Sequence, residues 1–362
     1  MKLLKADIKA YRNLKEGTVE FTDGINVIWG DNAQGKTNLL EAIYVFARGK
    51  PYRMKKETDV IPFSESTAGV DIVYESFGRE VPMSVYYRRG EKRKMKISGG
   101  EVTRASEFIG NFRAVMFCPD HLSIIKDSPS QRRLFLDVAI SQTDKKYVYM
   151  LKKYTQILAQ RAALIKDAAE SKSTNYGVFD VLAQQIAIPC RYVTERRMAY
   201  CEKLGAYMAT SIDEMSEGKE KSSAEYSFDT SLSEMTDEAF YKLFCDNIDK
   251  EIQYKMNLYG VQRDDIEIML NGKSSRFYCS QGQQRSLSLA AKLAEGEIAK
   301  EETSEYPVYL FDDVLSELDS KRASYLLSKL GERQVIITSC NEELFSPFGV
   351  SNKINICSGR IK

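Results

Sequence analysis

An eight-residue stretch, Gly30-Asp31-Asn32-Ala33-Gln34-Gly35-Lys36-Thr37, constrains this chain more than any other feature. It satisfies G-x-x-x-x-G-K-[ST] at every position, a pattern that works where a strand ends and a helix begins. Both flanks comply. Ile25-Asn26-Val27-Ile28-Trp29 is a short, largely β-branched run between two glycines, and it reads as a buried strand. Downstream, Leu39, Leu40, Ile43, Tyr44, Phe46 and Ala47 recur at helical spacing. Glycines let the backbone turn tightly, so that successive N–H groups converge on phosphate oxygens and the helix N-terminus adds its positive end. Lys36 is then expected to reach the β- and γ-phosphates of a nucleoside triphosphate, and the Thr37 hydroxyl to ligate Mg²⁺. The plain alternative is a glycine-rich turn that binds nothing.

A second group of motifs lies near the C-terminus. Pro307-Val308-Tyr309-Leu310-Phe311 is an apolar strand that ends in Asp312-Asp313. A carboxylate at the C-terminal end of a parallel strand beside a phosphate loop is placed to hold Mg²⁺, which fits Asp312. Asp313 is placed to orient and deprotonate an attacking water. Paired acids also cap strand ends with no further role. Ser280 opens a helix with the apolar face Leu287, Ala290, Ala291 and Ala294, so it reads as an N-cap. The same helix end, with Ser280 and Gly282, is a second anion site.

Composition sets outer bounds. The chain has 362 residues, 43% of them apolar, enough to bury a substantial core in two lobes. No apolar run approaches a membrane span, and the first residues alternate like a strand rather than a signal peptide. Seven cysteines without a C-x-x-C pair point to reduced thiols and a cytoplasmic location. A single histidine, His121, excludes a His-based metal site or triad, and it reads as a surface or loop residue. The net charge of +1 does not announce nucleic acid. Two basic clusters, residues 88–96 and 52–56, are solvated turns or contacts to a phosphate backbone.

Residues 1–115 are strand-rich apart from the helix after the loop, with strands expected at 5–10, 18–21, 70–74, 81–87 and 94–97. Residues 116–264 read as a mostly helical inserted lobe. Its two amphipathic stripes run through Tyr147 to Ile165 and through Val181 to Met198, with a break at 171–177. Neither is long enough for an extended coiled coil, so any arm is short. Residues 265–362 return to α/β character, with strands at 306–311 and 334–338, and complete the first lobe.

Phosphate loop, S-x-G-Q, an apolar strand ending in two acids, then S-E-L-D: this order resembles the ABC-type ATPases of the SMC branch, and within it the RecF family. The likeness rests on GDNAQGKTNLLE (30–41), on 119–133 with Ser128-Pro129 and Arg132-Arg133, on YCSQGQQR (278–285), on DDVLSELD (312–319) and on the opening at 8–14. It covers essentially the whole chain. It implies an α/β fold, an ABC/SMC-type P-loop ATPase head with a mostly helical inserted second lobe and no long coiled coil. It implies that Gly30, Asp31, Asn32, Ala33, Gln34, Gly35, Lys36, Thr37 and Asn38 bind ATP, with Arg12 and Asn13 nearby. Ser280, Gly282 and Gln283 are then expected to touch the γ-phosphate held by the other protomer of a homodimer. Asp312 matches the Mg²⁺-binding acid, and Asp313 stands where many such enzymes carry glutamate. Ser316, Glu317, Leu318 and Asp319 match the D-loop, which crosses the dimer interface.

Two positions depart from the general ABC pattern. Thr338-Ser339-Cys340 stands where a switch histidine is expected, and no Q-loop glutamine is evident in residues 117–121. Both favour slow hydrolysis. The family implies an ATP-dependent DNA clamp in recombinational repair, replication-fork maintenance and the SOS response, with gapped, single-stranded or junction DNA, RecR and RecO as partners and a weak ATPase activity. The rival is a non-hydrolysing, nucleotide-dependent interaction module, against which the second acid argues.

Overall fold

The computed structural model describes residues 1–54, 56–171, 174–228, 234–331, 333–340 and 349–362. The chain opens with β1 (Lys2–Lys9), β2 (Gly17–Glu20) and β3 (Ile25–Trp29), then the loop and its helix α1 (Lys36–Arg48). A meander follows: β4 (Thr67–Ser76), β5 (Arg79–Arg88), β6 (Lys94–Ile97) and β7 (Gly100–Val102). It leads to α2 (Ala105–Phe108) and β8 (Ala114–Phe117). The helical region holds α3 (Ser123–Lys126), α4 (Pro129–Ser141), α5 (Lys145–Ser171) and α6 (Tyr176–Ser216). Then come β9 (Ser222–Ser227), α7 (Asp237–Asp246) and α8 (Ile248–Tyr254). The last third runs β10 (Asp265–Leu270), β11 (Lys273–Ser274), α9 (Ser275–Tyr278), α10 (Gln281–Thr303) and β12 (Val308–Asp312). It closes with α11 (Ser320–Leu330), β13 (Val335–Ser339), β14 (Val350–Cys357) and β15 (Arg360–Ile361).

Three sheets result, ordered β2-β1-β4-β5-β6-β7, β15-β14-β3-β13-β12-β8 and β11-β10-β9. In the second, β14, β3, β13, β12 and β8 are all parallel. Strands of a parallel sheet covered on both faces read as unbroken apolar runs, and β8, β12 and β13 are buried along their whole length. The meander instead alternates. Its inward positions pair across strands, Val70 with Val85 and Ile72 with Met83.

Helix α1 lies between those two sheets, and Leu39 through Ala47 are all buried. A helix apolar nearly all round must sit inside a core, and Leu40, Ile43 and Phe46 share one cluster with Ile8, Val70, Ile336 and Ile354. The opposite face of the parallel sheet is covered by Leu289 and Leu293 of α10 and by Leu326 and Leu330 of α11. Burial on both faces leaves only the strand ends open, and the chemistry gathers there.

The expected strands and the break between the two long helices correspond to β1, β2, β4, β5, β6, β12, β13, α5 and α6, with ends displaced by up to three residues. The expected divisions at 115/116 and 264/265 each pass through hydrogen-bonded sheet. β8 spans the first and pairs with β12. At the second, β10 pairs with β9 over six residues. Helix α10 also faces both ways, since Leu287, Ala290, Ala291, Ala294 and Ile298 join the cluster of α5 and α6. Composition shifts follow sequence, whereas these boundaries follow pairing and burial. The 41-residue α6 packs against α5, α7, α10 and β9 rather than projecting as a long arm. Among the described residues no helix is long and apolar enough to cross a membrane.

Candidate functional site

The loop leaves the C-terminal edge of β3 and enters α1. Gly30 has φ +150, and a Cβ there would stand 2.3 Å from the Ile356 carbonyl oxygen of β14. Gly35 has φ +116, and a Cβ would lie 2.7 Å from Leu14 Cδ2 and 2.9 Å from Asn13 Oδ1. No larger residue fits either place. Gly35 is also the N-cap of α1 and provides no side-chain cap, so the first N–H groups of the helix keep their capacity to bind an anion.

Lys36 is buried and folds back over the loop. Its Nζ donates to the carbonyl oxygens of Gly30 (2.5 Å) and Asp31 (2.9 Å) and lies 3.5 Å from Cys340 Sγ. Asp31, Asn32 and Ala33 are exposed, and the Gln34 carbonyl accepts the Gly359 N–H at 3.1 Å. Arg12 and Asn13 come to the same place. Asn13 Nδ2 donates to the Ala33 carbonyl (3.1 Å), Asn38 Nδ2 to Asn13 Oδ1 (2.7 Å), and Arg12 Nη1 to Asn38 Oδ1 (3.1 Å). Arg12 adopts φ +53, an uncommon backbone conformation for a side chain of this size.

Asp312 closes β12 between β8 and β13 and is 5% exposed. Its Oδ1 accepts hydrogen bonds from Thr37 Oγ1 (2.8 Å) and Thr338 Oγ1 (2.9 Å). Its Oδ2 lies 3.6 Å from Arg53 Nη2. Carboxylate and hydroxyl oxygens at a phosphate loop are the hard donor set that Mg²⁺ takes. Asp313 follows in the left-handed region (φ +51), and its N–H donates to Thr338 Oγ1 at 2.9 Å. Ser316 Oγ donates to the Asp313 carbonyl at 2.7 Å, and Leu318 packs beside the core that α11 covers. Asp319 caps α11 by accepting the Arg322 N–H at 2.9 Å, which holds its carboxyl below the usual range. The side chain of Glu317 lies outside the described residues.

Ser280 and Gln283 form a reciprocal capping box at the start of α10. Ser280 Oγ accepts the Gln283 N–H (3.3 Å), and Gln283 Oε1 accepts the Ser280 N–H (2.9 Å). Gln283 Nε2 also donates to Glu220 Oε1 at 2.7 Å. Gly282 passes under Arg322, whose Nη2 would sit 3.4 Å from an added Cβ. Among the described residues, no hydrogen bond or ion pair joins residues 280–283 to the loop at 30–37. The structure thus brings Arg12, Asn13, Asn38, Thr37 and Asp312 together and leaves Ser280, Gly282 and Gln283 apart from them.

Several residues at the site escaped the sequence reading. Arg53 belongs to the basic cluster read as a solvated turn or a contact to a phosphate backbone, yet it reaches Asp312. Glu41 is buried inside α1 and holds Arg12 Nη2 at 2.8 and 2.6 Å while accepting the Arg53 N–H at 2.8 Å. A carboxylate within an apolar helical run was the signal. Thr338 and Cys340 stand where the sequence reading puts the switch position; what it does not show is their contacts, with Cys340 Sγ 2.9 Å from Asn32 Oδ1.

His121 is not a surface residue. Its ring is buried, Nδ1 accepts the Cys118 N–H (3.0 Å), Nε2 lies 3.3 Å from Tyr52 Oη, and its carbonyl accepts from Ser288 Oγ of α10 (2.9 Å). Burial, with Lys292, Arg48 and Arg53 nearby, pushes its pKa well below the usual value. In the 88–96 cluster, Arg93 pairs with Glu57 (2.7 Å) and Arg89 donates to the carbonyls of Ile61 and Pro62, so part of that charge holds its own lobe together.

A parallel sheet with the phosphate loop after β3, an acid at the end of β12 on the far side of β13, and a separate capped signature helix defines a P-loop ATPase head of the ABC/SMC kind. The model of the RecF/RecN/SMC N-terminal domain matches residues 2–359. A relative from Limosilactobacillus fermentum named DNA replication and repair protein RecF is 36% identical over 345 residues, 94% of this chain and 92% of its own. Another of that name from Thermoanaerobacter pseudethanolicus is 35% identical over 354 residues, covering 96% and 97%. A solved structure of the recombination mediator RecF with ATP, from the RecFOR pathway, superposes with a TM-score of 0.92 at 32% identity, covering 100% of this chain and 97% of that one. The Smc head of Pyrococcus furiosus, at TM-score 0.56 and 19% identity, shares the fold. The chain belongs to the RecF family.

Proposed function

We propose that this chain is a RecF-type, ATP-dependent DNA clamp of recombinational repair and replication-fork maintenance. The observation that carries the reading is the separation of two anion-binding helix ends in one chain. The loop before α1 has its lysine, hydroxyl and acid assembled around it, whereas Ser280 and Gly282 open α10 with no contact to that loop. Two copies related by a two-fold axis put each signature on the other's loop and close two sites at once.

In this reading residues 30–38, with Arg12 and Asn13 beside them, hold the phosphates of ATP. Thr37 and Asp312 hold Mg²⁺, which screens the phosphate charge when bound. Ser280, Gly282 and the free N–H groups of α10 grip the γ-phosphate on the partner. Asp313 takes a proton from water as its oxygen bonds to the γ-phosphorus and the bridging bond to ADP breaks. Ser316, Leu318 and Asp319 lie beside that acid and carry its state to the interface. Occupancy stabilises the dimer by linkage, and hydrolysis removes the shared anion, so slow turnover acts as a timer. Exposed lysines and arginines meet gapped, single-stranded or junction DNA through its phosphates, which makes binding salt-sensitive. RecR and RecO are the partners this reading implies, with recombinase loading and the SOS response downstream.

Sedimentation with and without ATP, on gapped, single-stranded and duplex DNA across a salt series, tests it. ATP is expected to convert monomer to dimer and tighten DNA binding. Dimerisation indifferent to ATP contradicts the reading.

A further inference from the structure

Helix α9, residues Ser275–Tyr278, is a four-residue element placed directly before the signature. Ser275 is buried and anchors it, and the element packs on α3, β10 and β11. The next three side chains all face solvent. Phe277 is 72% exposed and Tyr278 71% exposed, while the Arg276 guanidinium sits 5.2 Å from the centre of the Phe277 ring. Two large aromatics side by side on a rigidly seated turn are unusual on a surface that has no use for them.

Their position gives the use. Cys279 is extended (φ −85, ψ 139) and Ser280 caps α10, so Tyr278 stands two extended residues from the anion-binding end of that helix. Two residues span at most about 7 Å. In the composite site of the reading above, a nucleotide whose terminal phosphate meets Ser280 and Gly282 has its ribose and base within the range that side chains just before the signature can cover. No aromatic side chain lies within the loop at 30–37 itself, so stacking on the base falls to another element.

We propose that Phe277 and Tyr278 receive the base of the nucleotide held by the second copy of this chain, stacking on its face, with Arg276 keeping the Phe277 ring in place. The inference rests on the composite-site reading above and adds a base-recognition element in trans. Stacking tolerates any base because each has a π-face, so the pair sets affinity and the geometry of closure more than the choice of base. Phe and Tyr have only two side-chain torsions to fix, which keeps the entropic cost of docking low.

The test is the ATP concentration that gives half-maximal dimerisation, read by sedimentation for wild type, Phe277→Ala/Tyr278→Ala and Tyr278→Phe. Affinity for ATP within one chain is measured separately in a Ser280→Arg background. The double variant is expected to need about tenfold more ATP or higher, with single-chain affinity unchanged, and Tyr278→Phe to stay at wild type. With inorganic tripolyphosphate, which has no base, wild type and double variant are expected to give the same curve. Equal ATP requirement in the double variant and wild type overturns the proposal while leaving the clamp intact. Loss of single-stranded DNA binding with unchanged dimerisation overturns it in favour of stacking on DNA. Absence of ATP-driven dimerisation in wild type overturns the composite site itself, and this inference with it.

Discussion

Thr37 Oγ1 and Asp312 Oδ1 lie 2.8 Å apart although 275 residues separate them. Thr338 Oγ1 meets the same oxygen at 2.9 Å, so the ends of β12 and β13 and the first turn of α1 converge on one carboxylate. Replacing Thr37 by valine keeps the shape and removes the hydroxyl. We expect Thr37→Val to weaken Mg²⁺-dependent ATP binding about 10- to 100-fold. Titration with and without Mg²⁺ checks this, and an equal loss in both conditions contradicts a metal role.

Asp313 is held in an uncommon backbone conformation by the bond from its N–H to Thr338 Oγ1. Asp313→Asn keeps the shape and removes the proton acceptor. Single-turnover hydrolysis is expected to fall about 100-fold or more, while ATP-driven dimers outlive those of wild type. If Asp313→Asn and wild type hydrolyse at the same slow rate, the site is a structural nucleotide module.

His121 is the chain's one histidine, which makes its titration separable. Burial depresses its folded pKa, with Lys292, Arg48 and Arg53 adding to the effect. Below about pH 6.5 the unfolded chain takes up a proton that the folded chain refuses. The stability this group permits is therefore whole above that pH and is lost as pH falls toward the folded value, at up to about 1.4 kcal/mol per pH unit. Denaturant melts from pH 7.5 to 5 should fall less steeply for His121→Asn, whose side chain keeps an acceptor for the Cys118 N–H. Parallel slopes contradict a neutral buried ring.

In the helical region Arg161 and Glu251 form a buried pair at 2.7 Å, with the guanidinium 5.1 Å from the Phe244 ring centre. Removing one partner strands the other charge. Arg161→Met is expected to cost about 3–5 kcal/mol, and Arg161→Met/Glu251→Leu much less than that. Urea unfolding measures both, and equal losses in the single and double variants contradict the account.

Strands β1 to β6, β12 and β13 and the phosphate loop were legible because their signals are local: apolar runs for the parallel sheet, alternation for the meander, and glycine spacing for the loop. Strands β7 to β11, β14 and β15 were not read from the sequence. Ser280 was legible for the same reason, since a capping box needs only four consecutive residues. What escaped depends on chain segments meeting in space. Arg53 reads as one charge among several until folding carries it to Asp312. His121 reads as a loop residue because the cavity that takes it is built from Tyr52 and the distant helix α10. Pairing of β8 with β12 and of β10 with β9 was not legible either, because it joins segments of different character that are distant in sequence.

The central claim is that each nucleotide site is shared between two chains, and mixing two dead variants tests it most directly. Lys36→Met has a defective loop and an intact signature, while Ser280→Arg has the reverse. Neither alone is expected to dimerise on ATP or hydrolyse it. In an equimolar mixture the loop of the Ser280→Arg chain meets the signature of the Lys36→Met chain and completes one site of the two. Recovery of dimer and of single-turnover hydrolysis in the mixture is the predicted result. A mixture that stays as inactive as its parts, or a Ser280→Arg chain that dimerises on ATP by itself, would contradict the shared site.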